Sequence, residues 1–185
     1  VAARRKAKAR AFAKVHGVET VFPDYGALVA APGIDLVYNA LPISGHAEWT
    51  IKALEAGKHV LCEKPLAMNA AEARAMLAAA DRSGARLVEA FHYRYHAAFR
   101  DLLARLAADA VGEVRRVRAH FRVGIQDDGR EIRYRPEHGG GAMMDLGCYP
   151  LNWVLTILQK APLAVEARAV LAASGVDESL AARLA

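Results

Sequence analysis

The chain has 185 residues, 54% of them hydrophobic by a broad count and 24% charged, with a formal charge of +5. That is enough chain for a substantial core in one large domain or two small ones, and no apolar run approaches the roughly 18 residues that a membrane span needs. The basic Ala/Arg/Lys start does not read as a secretory signal, and Cys62 and Cys148 form neither a disulfide framework nor a zinc motif, so a reducing cytoplasm is the expected compartment.

Val1-Ala2-Ala3 reads as the end of a strand. Arg4 to His16 predicts a helix, with Ala9, Phe12, Ala13 and Val15 as its apolar positions and Gly17 as its stop. Val18 to Phe22 is a short extended piece, and Asp24 can cap a helix running to Ala30. Ile34 to Ala40, β-branched and aromatic, predicts a strand, followed by a Pro/Gly loop through Gly45. His46 to Ala56 is a helix stopped by Gly57, and His59 to Cys62 is a short apolar run bounded by Gly57 and Pro65. Asn69 with Glu72 predicts a capping box opening an Ala-rich helix to Ser83. Gly84 stops it, Arg86 to Phe91 is a strand, and about Tyr93 to Ala108 is a helix.

Helices and strands alternating at short intervals predict a doubly wound parallel sheet. The pattern then changes. Residues 112–124 alternate apolar and basic positions, which predicts one long strand of an antiparallel sheet. A polar loop follows over 125–138, then a helix from Gly139 to about Gln159. Strand-like alternation returns at Pro162 to Ala172 and again from Asp177. The fold class expected is therefore α/β: a Rossmann-type parallel sheet over 1–110, then an α+β domain with a large open, mainly antiparallel sheet over 111–185. No internal repeat or low-complexity linker is visible. A Rossmann unit should open with a strand and a Gly-x-Gly-x-x-Gly turn, and the chain contains none. The expectation is an internal piece of a longer protein, lacking the central first strand and a C-terminal end, and inactive by itself.

Two stretches carry chemistry. Glu63-Lys64-Pro65 follows the His59–Cys62 run, at the carboxyl end of a predicted parallel strand, where such sheets bind ligands. Alone, the tripeptide fits a charged surface loop at least as well. Gly139-Gly140-Gly141 leads into Asp145, Gly147 and Tyr149. In a regular helix Asp145 and Tyr149 share a face, and the glycines admit a close neighbour. Close helix packing and a ligand site explain this second stretch equally well.

Taken together these motifs resemble the Gfo/Idh/MocA oxidoreductases. The resemblance rests on Glu63-Lys64-Pro65, Glu89-Ala90-Phe91 before Tyr93-Arg94, Ala40-Leu41-Pro42 followed by His46 and Trp49, and Gly-Gly-Gly-Ala-x-x-Asp-x-Gly-x-Tyr. It covers essentially the whole chain. Within the family the chain is most similar to the dihydrodiol dehydrogenase and NADP-dependent xylose dehydrogenase group, whose motif ends in Tyr where many members have His. The resemblance implies reversible hydride transfer between a nicotinamide cofactor and a sugar, polyol or diol. It implies a homodimer or higher oligomer through the C-terminal sheet. It places Lys64 near nicotinamide and substrate, Asp145 and Tyr149 facing substrate, and Ala40, Leu41, Pro42, His46, Glu63 and Pro65 along the cofactor.

Physical chemistry supports the same roles. Alcohol oxidation needs a proton acceptor, and a free Tyr with a pKa of about 10 is a poor one at neutral pH. A nearby ammonium favours the phenolate. Tyr149 is thus the expected acid/base, Lys64 its electrostatic partner, and Asp145 the group that orients substrate. At the end of the second Rossmann strand an acid selects NAD and an Arg accommodates the phosphate of NADP. Here Arg4 and Arg5 stand without an acid, which favours NADP, with NAD possible. Relatives often carry Ser before the Arg, where this chain has Ala3.

Other readings are a non-catalytic sensor of cofactor or sugar, which could dispense with Lys64 or Tyr149, and an oxidation-dependent glycosidase. A nucleic-acid module would rest only on the six basic residues among the first 14, without a recognition motif, so no nucleic-acid or membrane partner is expected. His92 and His96 have metal-pair spacing in a continuous helix but no accompanying Asp, Glu or Cys set, so no metal is expected. Glu89 could face the cofactor or pair with Arg94. Arg135 and His138 could border the substrate or a solvated loop. Cys62 reads as a small buried hydrophobe.

Overall fold

A computed structural model describes residues 1–185. The chain forms two compact units, one of Val1–Leu41 with Gly45–Glu89 and the other of Pro42–Ser44 with Ala90–Ala185. The division falls before the change of sequence pattern near residue 110. Its cause is local: Tyr93 packs edge-on against Trp153 and donates its hydroxyl to Asn152, which ties the turn at 92–95 to the second unit.

In the first unit α1 (Lys6–His16) ends at Gly17 in the left-handed conformation, φ 65°, which glycine adopts without a Cβ penalty. It buries only Ala9 and Ala13, while Phe12 and Val15 stay exposed, so its expected apolar face is half the predicted width. Ahead of it, Val1 N donates to Thr20 O (2.7 Å) and Phe22 N donates to Val1 O (2.9 Å). These two bonds, on either side of Val21, are the pattern of a parallel bridge. The predicted strand end and extended piece therefore meet, without extending into a ladder. Asp24 caps α2 (Tyr25–Ala30), accepting from Ala27 N at 2.7 Å.

Three strands follow, β1 (Leu36–Asn39), β2 (His59–Cys62) and β3 (Leu87–Glu89), with α3 (His46–Glu55) and α4 (Ala70–Ser83) between them. They form one parallel sheet in the order β1-β2-β3. The capping box is present with a variation: Asn69 Oδ1 accepts from Glu72 N, while the Glu72 carboxylate accepts from Met68 N and from the Asn69 amide. The core joins Leu54 and Ala53 of α3, Met76 and Ala79 of α4, and Val60 and Cys62 of β2. Complete burial of side chains such as Leu54 and Met76 contributes about 1.5–3 kcal/mol each.

Lys58, unremarkable in the sequence, is buried. Its Nζ donates to Ala31 O and Ile34 O, both at 2.8 Å, holding the carbonyls that follow α2. Bonds from a charged donor contribute about 1.5–3 kcal/mol. Replacing Lys58 with Met should therefore lower unfolding free energy by about 2–3 kcal/mol, read by denaturant midpoint. A change below about 0.5 kcal/mol, the range of ordinary surface substitutions, would refute the structural role.

In the second unit a single 3-10 turn, His92–Tyr95, precedes α5 (Ala97–Ala107). The expected continuous helix is broken at His96, whose Nδ1 accepts from Ala98 N as an N-cap. The break removes the helical spacing that would have paired His92 with His96. Residues 112–124 form no strand, contrary to expectation. The unit's two strands, β4 (Val165–Leu171) and β5 (Asp177–Leu184), pair antiparallel with each other, and the alternating run joins neither edge of that hairpin. Phe121 from that run instead lies against Tyr149 and Trp153. Before the hairpin, a π-helical turn, Met143–Gly147, continues into α6 (Cys148–Leu158). Both faces of β4 and most of β5 are exposed. The architecture is thus α/β with a Rossmann-like parallel sheet, followed by an α+β unit with an open antiparallel sheet. No helix is long and apolar enough to cross a membrane.

Candidate functional site

The carboxyl ends of the three parallel strands lie along one edge. Asn39 of β1 is the register partner of Cys62 in β2, which partners Glu89 in β3. Each of the three then does local work. Asn39 is buried, and its side chain donates to His46 O (3.2 Å) and Thr50 Oγ1 (3.1 Å) while accepting from Leu41 N (3.3 Å). It thereby fixes the turn from β1 into α3. Burial pushes the Cys62 thiol up to about 11, so it stays a neutral packing group.

The Glu63-Lys64-Pro65 loop leaves this edge under several constraints. Glu63 N donates to Asn39 O at 2.9 Å. Lys64 N donates to Glu63 Oε2 at 3.2 Å, and Leu66 N donates to Glu89 Oε1 at 2.8 Å. Glu89 thus supports the loop from the neighbouring strand. The Lys64–Pro65 peptide is cis. Tyr38 donates its hydroxyl to Glu63 Oε1 at 2.6 Å. Its own pKa is pushed up to about 12, first by that hydrogen bond, then by burial and the Glu63 charge. Glu63 is therefore held between Tyr38 and the Lys64 amide, a constraint that a single sequence could not reveal because Tyr38 and Glu63 meet only through sheet register.

His46 is fully buried. Its Nδ1 lies 3.0 Å from Pro65 O and its Nε2 2.9 Å from Leu41 O. The ring bridges the loops after β1 and β2, so His46 shapes the edge from behind. Ala40 and Pro42 are exposed and Leu41 is half-buried. Arg4 and Arg5 are exposed beside the Val1–Val21 bridge, and Arg4 N donates to Tyr25 Oη at 2.8 Å. No carboxylate lies between Val1 and His16. This donor set fits a dinucleotide: strand-end loops held at one edge, a lysine on one of them, and guanidinium groups that can meet a phosphate.

The second unit holds the other predicted residues. The triple glycine is required by contact as well as by conformation. A Cβ on Gly140 would lie 2.5 Å from Arg133 O and 2.8 Å from Arg135 O. Gly141 has φ 117° and faces the Asp177 carboxylate, whose Oδ2 accepts from Met143 N at 2.7 Å. Asp177, the first residue of β5, thus caps the helical start. The π-helical turn places Asp145 on a widened coil, which alters its phase to Tyr149 from that of a regular helix; π-turns recur at functional sites. The space beside Gly147 is taken by Met143 Sδ, 2.7 Å from where a Cβ would stand.

Asp145 Oδ2 accepts from Arg133 Nε at 2.8 Å, and Arg133 Nη1 donates to Glu131 Oε1 at 2.9 Å. Burial opposes the guanidinium charge, but bonds and charges from Glu131 and Asp145 outweigh it and hold the group above its ordinary pKa. Tyr149 stands among aromatic rings. Phe121 and Phe91 lie edge-on at 5.4 and 5.5 Å between centroids, with His92, Tyr93 and Trp153 farther out. His138 Nδ1 lies 3.3 Å from Ser44 Oγ. Arg135 reaches Gly129 O in its own loop. The structure therefore joins Lys64 with Glu63, Glu89, His46 and Pro65 in one unit, and Asp145 with Tyr149 in the other. Sequence reading missed Tyr38, Asn39 and Arg133. The only signal for Arg133 was its place just before the glycines.

Known proteins are similar to this chain in sequence and fold. The family model "Oxidoreductase family, NAD-binding Rossmann fold" matches residues 1–91, and the "GFO/IDH/MocA C-terminal domain" matches residues 99–185. The chain is 37% identical over 181 residues to a trans-1,2-dihydrobenzene-1,2-diol dehydrogenase of Xenopus laevis, covering 97% of this chain and 54% of that protein. It is 39% identical over 152 residues to D-xylose 1-dehydrogenase (NADP(+)) 2 of Haloferax volcanii, covering 82% and 46% respectively. The crystal structure of a 3-ketoreductase from Actinomadura kijaniata in complex with NADP and TDP-benzene superposes with a TM-score of 0.78 at 38% identity, over 85% of this chain and 48% of that one. The chain spans about half the length of the curated relatives it matches. Two family models, covering nearly all of its residues, show that the chain belongs to the Gfo/Idh/MocA oxidoreductase family.

Proposed function

We propose that this chain supplies the catalytic centre of an NADP-dependent dehydrogenase that oxidises a hydroxyl carbon of a sugar, polyol or trans-diol, reversibly. The observation that carries this reading is the strand-end loop of Lys64, fixed by Glu63, Glu89, Asn39 and His46. Such restraint fixes the backbone from which the Lys64 side chain extends, so the loop need not be ordered at each turnover.

The nicotinamide, when bound, supplies the hydride acceptor. The chain's residues manage the proton and the charge. Tyr149 takes the hydroxyl proton at its Oη. In this reading Lys64 is the cation that favours the phenolate form when the proton is taken. The same ammonium stabilises alkoxide character at the reacting oxygen. Asp145 accepts hydrogen bonds from neighbouring substrate hydroxyls. Residues 1–110 serve the cofactor, with Ala40, Leu41, Pro42, Glu63 and Pro65 along it and buried His46 holding the Leu41 and Pro65 carbonyls in place, and residues 111–185 serve the substrate. Val165, Val170 and Leu171, each about 60% exposed on the hairpin, support association of copies through this sheet.

Relatives named for NADP and the acid-free Arg4-Arg5 start support NADP over NAD. The test is oxidation of a panel of aldoses, polyols and trans-diols by the full-length protein with each cofactor. Turnover with NADP is expected, and Arg4→Ala should reduce the preference for NADP over NAD by about tenfold, the loss of one charged phosphate contact of about 1.4 kcal/mol. No turnover across the panel would overturn the activity. An unchanged preference in Arg4→Ala would overturn the cofactor assignment.

A further inference from the structure

We propose that Arg133 is a positioning residue of the reaction, holding the Asp145 carboxylate in the one orientation that receives the substrate hydroxyls. The inference rests on the reading of Asp145 as a substrate-facing group. It is carried by a closed ring of bonds. Gly141 N donates to Arg133 O (2.8 Å), Asp145 N donates to Gly141 O (2.9 Å), and Arg133 Nε donates to Asp145 Oδ2 (2.8 Å). Main chain and side chain of Arg133 are thus tied to the same helical start that bears Asp145.

The ring is braced from outside. Glu131 Oε1 accepts both Arg133 N (3.1 Å) and Arg133 Nη1 (2.9 Å), which fixes the guanidinium plane. Gly140 N donates to Arg135 O at 2.9 Å, and only a glycine fits against the Arg133 carbonyl there. An ordinary surface ion pair contributes little because two long side chains must be ordered to form it. Here the main chain of both partners is tied into one turn and Glu131 braces the guanidinium, with the Asp145 side chain 20% and that of Arg133 45% exposed. A carboxylate has about four acceptor sites, so a bond from Arg133 to Oδ2 orients Asp145 and is compatible with acceptance from a substrate hydroxyl. Two carboxylates share one guanidinium, through Arg133 Nε and Nη1, so its plane is tied to Asp145 on one side and Glu131 on the other.

The test uses the full-length protein with NADP and its best polyol substrate. Arg133→Met should raise the substrate KM by about tenfold or more, lower kcat by less, and leave the KM for NADP unchanged. Arg133→Lys, which restores a charge but not the planar fork, should recover part of the loss. In an Asp145→Asn background Arg133→Met should cost less than a further twofold, because the residue it positions is already impaired. If Asp145→Asn is harmful but Arg133→Met leaves the substrate KM unchanged, the proposal is overturned while the reading of Asp145 stands. If Asp145→Asn changes neither KM nor kcat, that reading falls and the proposal with it. Equal losses from Arg133→Met in both backgrounds, or loss of NADP affinity as well, would mark Arg133 as merely structural and also overturn it.

Discussion

Replacing Tyr149 with Phe in the full-length protein should lower kcat by on the order of a thousandfold, the usual contribution of a positioned acid/base, while NADP affinity changes less than twofold. The substitution removes one oxygen and keeps the ring, so the edge contacts with Phe91 and Phe121 survive. The separation of the two readouts is the point. Tyr149 belongs to the second unit, whereas the loops expected along the cofactor belong largely to the first. A residue that only packed the aromatic cluster would leave kcat nearly unchanged on losing its hydroxyl. A retained turnover within threefold of the parent would remove Tyr149 from the mechanism.

The second large effect is on stability. Gly140→Ala should destabilise the protein by about 3 kcal/mol, at the upper end of the range for overpacking. The new Cβ would stand 2.5 Å from Arg133 O and 2.8 Å from Arg135 O. Both are backbone atoms, and both accept hydrogen bonds from the turn itself, from Gly141 N and Gly140 N. Arg133 O cannot retreat without breaking the ring that holds Asp145, nor Arg135 O without losing its bond from Gly140 N. Gly124→Ala is the control: nothing lies within 4 Å of its added Cβ and its φ is not positive, so it should be neutral. Equal thermal midpoints for the two variants would show that the close approach is absent in solution.

The sequence made the strand-end loop and the glycine turn legible for different reasons. Glu63-Lys64-Pro65 follows an apolar run whose length and Gly/Pro flanks define a buried strand, so its place at a carboxyl edge follows from local pattern alone. Gly140 announced a close approach, though the partner, a carbonyl of residue 133, is fixed only by the fold. Residues 112–124 show the limit of periodicity. Alternation says which face would be apolar, but a strand also needs a neighbour in register, which the fold and not the local pattern decides, and residues 112–124 lie on neither edge of the β4-β5 hairpin. His46 and Lys58 were opaque because burial of a polar side chain depends on carbonyls supplied by other segments, Leu41 and Pro65 for one, Ala31 and Ile34 for the other. Arg133 was hidden for the same reason: its partner Asp145 reaches it through the glycine turn.

The most direct test of the central claim follows a hydrogen. The full-length protein is given a polyol or trans-diol deuterated at the carbinol carbon together with NADP, and the reduced cofactor is analysed for the label. The account predicts one deuterium on the nicotinamide for each substrate molecule oxidised, with the rate of transfer collapsing in Lys64→Met. Binding of the substrate without transfer of label, or conversion of the substrate with the cofactor unlabelled, would contradict it.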